Sequence, residues 1–110
     1  MNMINKMEPI EINNNDNEKP KINFCFIASS GLKTIILLEG DKTIEELLKL
    51  YLKRNGLEYN AFESNQVIFL YNGESMKKSF KATKLIDFLK EKNYNVYGTH
   101  KIYVYEKNNF

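Results

Sequence analysis

The sequence predicts a single α+β domain: a four- to five-stranded mixed sheet packed on one main α-helix, with a short second helix beside it. Three observations carry that expectation. One well-marked amphipathic helix occurs, β-rich runs lie on both sides of it, and glycine-bearing turns stand where those runs must reverse.

The helix spans Asp41 to Gly56. Thr43 is a good N-cap, and Glu46 three residues on can reach back to the cap's backbone N–H, which makes a capping box. Ile44, Leu47, Leu48, Tyr51 and Leu52 then recur at the spacing of one apolar stripe. Lys49, Lys53 and Arg54 fall on the other side or in the last turn, where positive charge suits the helix dipole, and Gly56 can take the left-handed position after the end.

The other elements follow in order. Residues 1–21 are Asn-rich with Pro9 and Pro20 and read as a low-complexity N-terminal extension; residues 22–110 read as the folded domain. Within the extension, Pro9-Ile10-Glu11-Ile12 alternates in a way that could add to a sheet edge or cross an apolar surface. Ile22 to Ala28 and Thr34 to Leu38 make a hairpin with Gly31 in its turn, at positive φ or in a bulge. Leu57 to Asn65 reads as irregular. Val67 to Tyr71 is a strand closed by Asn72-Gly73, a strong turn dipeptide. Thr83 to Lys90 fits a short helix capped by Thr83, Asn93 to His100 reads as a loop, and Lys101 to Glu106 is the last strand.

The totals narrow the function classes. A chain of 110 residues can bury one core without staples. One cysteine cannot form an internal disulfide, and neither a signal peptide nor a stretch of 18 apolar residues is present, so an intracellular and by default cytoplasmic setting is expected, with cytoskeletal, ciliary or organellar assemblies left open. Sixteen Lys and Arg against 14 Asp and Glu give +2, too balanced to suggest a nucleic-acid protein. The local basic run Lys77, Lys78, Lys81 and Lys84 reads as a solvated loop.

The order β-β-α-β-(short helix)-β resembles the ubiquitin-like β-grasp family, and some of the match is at residue level. Ile22 to Ala28 resembles the family's first strand, with Gly31 on its turn glycine, and Lys42-Thr43-Ile44-Glu45 its Asp-Thr-Ile-Glu helix start. Ile68-Phe69-Leu70-Tyr71-Asn72-Gly73 resembles the strand and turn Arg-Leu-Ile-Phe-Ala-Gly, and Ile102 to Tyr105 the last strand. The resemblance covers about residues 22 to 106, with extra length between Leu57 and Asn65 and between Leu89 and His100. It implies the fold more than a role, since the fold hosts modifiers, docking domains and assembly subunits. A conjugated modifier needs a terminal Gly-Gly; this sequence ends Glu106-Lys-Asn-Asn-Phe110 with no glycine after Gly98, so a non-conjugatable member is expected.

No enzyme is expected, and no catalytic, cofactor-binding or metal-ligating residue stands out. Cys25 sits mid-strand beside Phe24 and Phe26 as a buried or sheet-face thiol, and His100 reads as a loop residue; one His and one Cys cannot make a four-ligand zinc site. Strand alternation says more. If Phe24, Phe26, Ile36, Leu38, Phe69, Ile102 and Val104 face the helix, the other face presents Cys25 with Ile27, Ile35, Leu37, Ile68, Leu70, Tyr103 and Tyr105. An antiparallel sheet covered on one side normally turns polar residues to the other. Leu70 and Tyr105 occupy positions that resemble the family's apolar recognition patch, while Ser29 replaces its leucine on the first turn.

That face is either covered by the chain's own tail, through Ile10 and Ile12, or used by a partner. The apolar residues of the tail, with Met3 and Met7 counted beside Ile10 and Ile12, are few for eight positions. The expectation is a non-enzymatic protein–protein interaction module, a small structural subunit of a larger intracellular complex. It would dock through Ile27, Ile35, Leu37, Ile68, Leu70, Tyr103 and Tyr105 and through its tail. The alternative is a transient regulatory adaptor of ubiquitin-like or small-GTPase-binding type. Membrane insertion, nucleic acid and small-molecule ligands are not expected.

Overall fold

The computed structural model describes residues 19–107. The alternating piece Pro9 to Ile12 and the terminal residues 108–110 lie outside the described residues. Strands β1 (Lys21–Ala28) and β2 (Lys33–Glu39) form an antiparallel hairpin whose turn places Gly31 at φ +94°, as the sequence predicts. Helix α1 (Ile44–Arg54) follows, then a single helical turn α2 (Asn60–Glu63), strand β3 (Val67–Tyr71) and the two-residue strand β4 (Glu74–Ser75). A 3₁₀ turn (Lys78–Phe80), helix α3 (Leu85–Glu91) and strand β5 (Thr99–Glu106) complete the described chain.

The sheet has five strands in the order β2-β1-β5-β3-β4. β5 lies between the two halves of the chain, parallel to β1 and antiparallel to β3, so the sheet is mixed. Asn72 and Gly73 both have positive φ, 53° and 81°, the combination a two-residue hairpin turn requires.

The core lies between the inner face of this sheet and α1. Ile44, Leu47, Leu48, Tyr51 and Leu52 are all buried, so the stripe read from the sequence is the packed face. Phe24, Phe26, Ile36, Phe69, Ile102 and Val104 are buried opposite it, while Leu38, expected on the same face, is only half buried near the β2 edge. At the centre the Phe26 ring stacks on Tyr51 at 4.5 Å, and Phe69 stands edge-on to both, at 5.9 and 5.7 Å.

Thr43 caps α1 as expected. Its hydroxyl accepts from the Glu46 N–H at 3.2 Å, and the Glu46 carboxylate accepts from the Thr43 N–H at 2.9 Å. That backbone hydrogen bond, above all, holds the Glu46 carboxyl below its usual range. Thr43→Ala is expected to remove about 1 kcal/mol of stability, read as a lower urea midpoint with an unchanged m value.

Three local readings are corrected. Thr83 does not cap α3; Lys84 stands at that position and makes no side-chain cap. The two helices instead satisfy each other's first donors through backbone. Ile44 and Glu45 N–H donate to the Thr83 and Lys81 carbonyls, and Leu85 and Ile86 N–H donate to the Lys42 and Gly40 carbonyls. With its orphan donors met from outside, α3 needs no side-chain cap. The segment from Leu57 to Asn65 is not wholly irregular, because α2 forms to bury Phe62 against Phe69, ring centroids 5.6 Å apart. His100 is not a loop residue. It lies in β5, pairs with Phe24 across the parallel β1–β5 register, and is 4% exposed.

Candidate functional site on the outer face of the sheet

Pairing register assembles the outer face residue by residue. Side chains directly opposite one another in paired strands share a face. Across the middle of the sheet, Ile27 of β1 lies opposite Tyr103 of β5, Tyr103 opposite Leu70 of β3, and Leu70 opposite Ser75 of β4. In the next outward-facing row, Tyr105 is opposite Ile68. These five apolar residues make one continuous lobe.

Ile35 and Leu37 make a second lobe on β2. Ile35 is opposite Cys25, which is 7% exposed between Ile35 and Lys101 on the neighbouring strands, so the thiol is covered by its cross-strand partners. Ile35, Leu37, Tyr103 and Tyr105 retain 46–55% exposure, which is high for residues of this size, and Ile27, Ile68 and Leu70 are half buried.

The face is less uniformly apolar than alternation of the apolar residues suggested. Lys101 lies opposite Cys25, Asn23 lies between Leu37 and Thr99, and the row of Ile27, Tyr103 and Leu70 ends in Lys33 on one side and Ser75 on the other, so each of these three cross-sheet rows contains polar side chains. The Asn23 side-chain oxygen is buried without a hydrogen-bond partner among the described residues. The signal for these residues was in the sequence: Asn23 and Lys101 alternate with Phe24 and Ile102. Leu32 and Tyr97 are also largely exposed, but they sit in the hairpin turn and in the loop before β5, outside the lobes.

The free edge beside the second lobe is partly closed. The Ala28 N–H donates to Leu32 O at the end of the hairpin, so by alternation Thr34, Ile36 and Leu38 bond to β1 while Ile35 and Leu37 turn their backbone groups outward. Arg54 at the end of α1 donates from Nη1 to the Ile35 carbonyl at 2.9 Å, capping one outward acceptor of that edge.

Chemistry of other kinds finds little support here. His100 is held inside the domain, where Nε2 donates to the Val96 carbonyl at 2.9 Å and Nδ1 accepts from the Tyr71 hydroxyl at 2.5 Å. Both ring nitrogens are engaged in structure. Among the described residues no three His, Cys, Asp or Glu side chains cluster with metal-ligand geometry, and no helix is long and apolar enough to cross a membrane. The basic run is solvated as expected at Lys77, Lys81 and Lys84, whereas Lys78 is half buried and donates to the Asn65 side-chain oxygen at 2.5 Å.

No protein-family model matches the chain, and no curated protein matches its sequence. Solved structures do match. The ubiquitin of Caldiarchaeum subterraneum aligns with a TM-score of 0.59 at 10% identity, covering 81% of this chain and 96% of that one. A de novo design based on ubiquitin aligns with a TM-score of 0.54 at 15% identity, covering 83% and 94%. At these identities the likeness concerns the fold alone.

Proposed function

We propose that this chain, whose fold is that of the ubiquitin-like β-grasp, is a non-enzymatic protein-interaction module that docks on a partner protein through the outer face of its sheet. The observation that carries the reading is the half-exposed apolar set on that face. Ile35, Leu37, Tyr103 and Tyr105 leave large apolar surface in water, with Ile27, Ile68 and Leu70 beneath and between them. A complementary protein surface would remove that area from water at about 25 cal/mol per Å² of apolar surface. The tyrosine hydroxyls would meet polar groups at the margin, since one end of each ring is apolar and the other wet. In this reading the domain is a small subunit of an intracellular assembly.

A second reading, transient association as a regulatory adaptor, is favoured by Lys101, Asn23 and Thr99 on the same face, because obligate interfaces are more apolar than transient ones. Native purification with mass spectrometry separates the two: a permanent subunit is never found alone, and a predominantly free monomer would sink that version.

The docking face is tested by Ile35→Asp combined with Leu70→Asp. Both side chains point away from the core, so the circular dichroism spectrum should persist while partner association falls by at least about tenfold, the equivalent of ~1.4 kcal/mol. Unchanged association with the fold intact would remove the proposal.

A further inference from the structure

A second surface, on the opposite margin of the sheet, has features that the outer face does not use. β4 is the last strand of the sheet, so one of its sides is unpaired among the described residues. Tyr71 and Glu74 flank the two-residue turn and form its closing pair, and the Met76 N–H donates to Phe69 O at 2.8 Å. By alternation the Ser75 N–H and carbonyl therefore point away from β3, toward solvent.

Two clefts open beside this edge. The larger, about 420 Å³, is walled by the rings of Tyr71, Phe80, Phe88 and Tyr94. The smaller, about 240 Å³, reaches Phe62, Val67 and Ile68. Ser75, Met76 and Lys77 are common to both, so the clefts are neighbours along one edge.

The charge around them is mostly positive. Lys92 stands at the mouth of the larger cleft, with its ammonium 5.8 and 5.6 Å from the ring centres of Phe80 and Phe88 and 3.3 Å from the Glu74 carboxylate. Lys77 lines both clefts and Lys78 lines the smaller. Against these three cations the lining residues include one carboxylate, that of Glu74.

We propose that the β4 edge is a docking site for an extended acidic peptide segment. Its backbone pairs with Ser75, an aromatic side chain enters the cleft of Tyr71, Phe80, Phe88 and Tyr94, and its carboxylates meet Lys77, Lys78 and Lys92. An unpaired strand edge beside side-chain pockets is the arrangement by which extended peptides are held, with main-chain bonds giving affinity and pockets giving selectivity. Residues two apart in a strand are about 7 Å apart on one face, a spacing suited to clefts that share a wall. A carboxylate of the segment takes over Lys92 from Glu74, whose ion pair is 72% exposed on the glutamate side and worth little by itself. A nucleic acid fits less well, because a strand edge with unpaired backbone groups has no phosphate-tracking geometry.

The test titrates the full chain, ¹⁵N-labelled, with an acetylated and amidated heptapeptide, Glu-Glu-Phe-Glu-Leu-Glu-Glu, following amide shifts at low salt. Saturable shifts at residues 75–78 and 88–94 are expected, and replacing the peptide's Phe by Ala, or all its Glu by Lys, should weaken binding by about tenfold or more. Ser75→Pro removes the outward N–H without touching a ladder bond and should weaken the acidic peptide to a similar degree. If that variant fails to fold, Lys77→Glu with Lys92→Glu serves in its place and should have the same effect. An Ile35→Asp and Leu37→Asp variant, changed only on the opposite edge strand β2, should bind the peptide as the parent does, which separates this site from the outer face. No shift at about 1 mM peptide, equal binding of the Lys peptide, shifts confined to the outer face, or stronger perturbation of residues 75–78 by an oligothymidylate would each overturn the proposal.

Discussion

Phe26→Ala should cost about 3–5 kcal/mol, the largest stability loss expected from a single side chain in the core. The ring is fully buried in β1, a strand paired on both sides, stacked on Tyr51 and contacted edge-on by Phe69. Truncation loses the transfer energy of the ring and leaves a hole that strands held on both sides cannot collapse to fill. Single domains are stable by about 5–15 kcal/mol, so the loss is a large share of the total and would bring a domain at the low end of that range near its unfolding midpoint. Phe26→Leu keeps most of the volume and should cost clearly less. Urea denaturation of both variants checks the claim. A loss below about 1 kcal/mol for the alanine variant would mean that the aromatic trio is not the keystone of this core.

The same trio shows what the sequence made legible. Tyr51 belongs to the helical stripe, Phe26 and Phe69 to alternating strands, and each was placed on the inner side by period alone. Capping and turn chemistry were equally readable, because Thr43 with Glu46, and Asn72 with Gly73, act within four residues of chain. The failures were all tertiary. Thr83 looked like a cap, yet α3 receives its first acceptors from Gly40 and Lys42, more than forty residues away in sequence. His100 follows a polar stretch containing Gly98, but β1 continues the parallel pairing back to Thr99 and draws the histidine into the sheet. Phe62 sat in a segment without period, and one helical turn sufficed to bury it.

Legibility of the outer face divides along the same line. The apolar members could be named from alternation, and the structure groups Ile27, Ile68, Leu70, Tyr103 and Tyr105 while setting Ile35 and Leu37 apart on β2. Which residues are neighbours depends on register between strands, and β1 and β5 are more than seventy residues apart in sequence. Period 2 assigns a face; only the pairing assigns a row. Asn23 and Lys101 fall on the outer face by the same period, since they alternate with Phe24 and Ile102, while the apolar residues they stand beside follow only from the pairing. The β4 edge was harder still, because its walls come from β3, the 3₁₀ turn, α3 and the following loop.

The Tyr71–His100 pair leads to the second large expectation, a loss of stability in alkali. Burial pushes the Tyr71 hydroxyl up to about 12, and burial raises Tyr51 and Tyr59 as well. An unfolded tyrosine releases its proton near pH 10. Between about pH 10 and 12 the unfolded chain therefore holds fewer protons at Tyr71 than the folded one, and stability falls as pH rises through that window. The contribution is fully present below pH 10. Its loss at Tyr71 alone is about 2–3 kcal/mol by pH 12, at ~1.4 kcal/mol for each pKa unit. Tyr71→Phe should flatten this part of the alkaline decline, leaving the slope due to the other tyrosines. At neutral pH the same substitution should cost about 1–3 kcal/mol, because the buried His100 Nδ1 loses the hydroxyl that donates to it. The stability curves of the parent and of Tyr71→Phe should thus converge as pH rises from about 10 to 12, measured by urea unfolding at each pH. Parallel curves would show that the Tyr71 hydroxyl titrates in the folded chain as it does in the unfolded one, and would overturn the rise assigned to its burial.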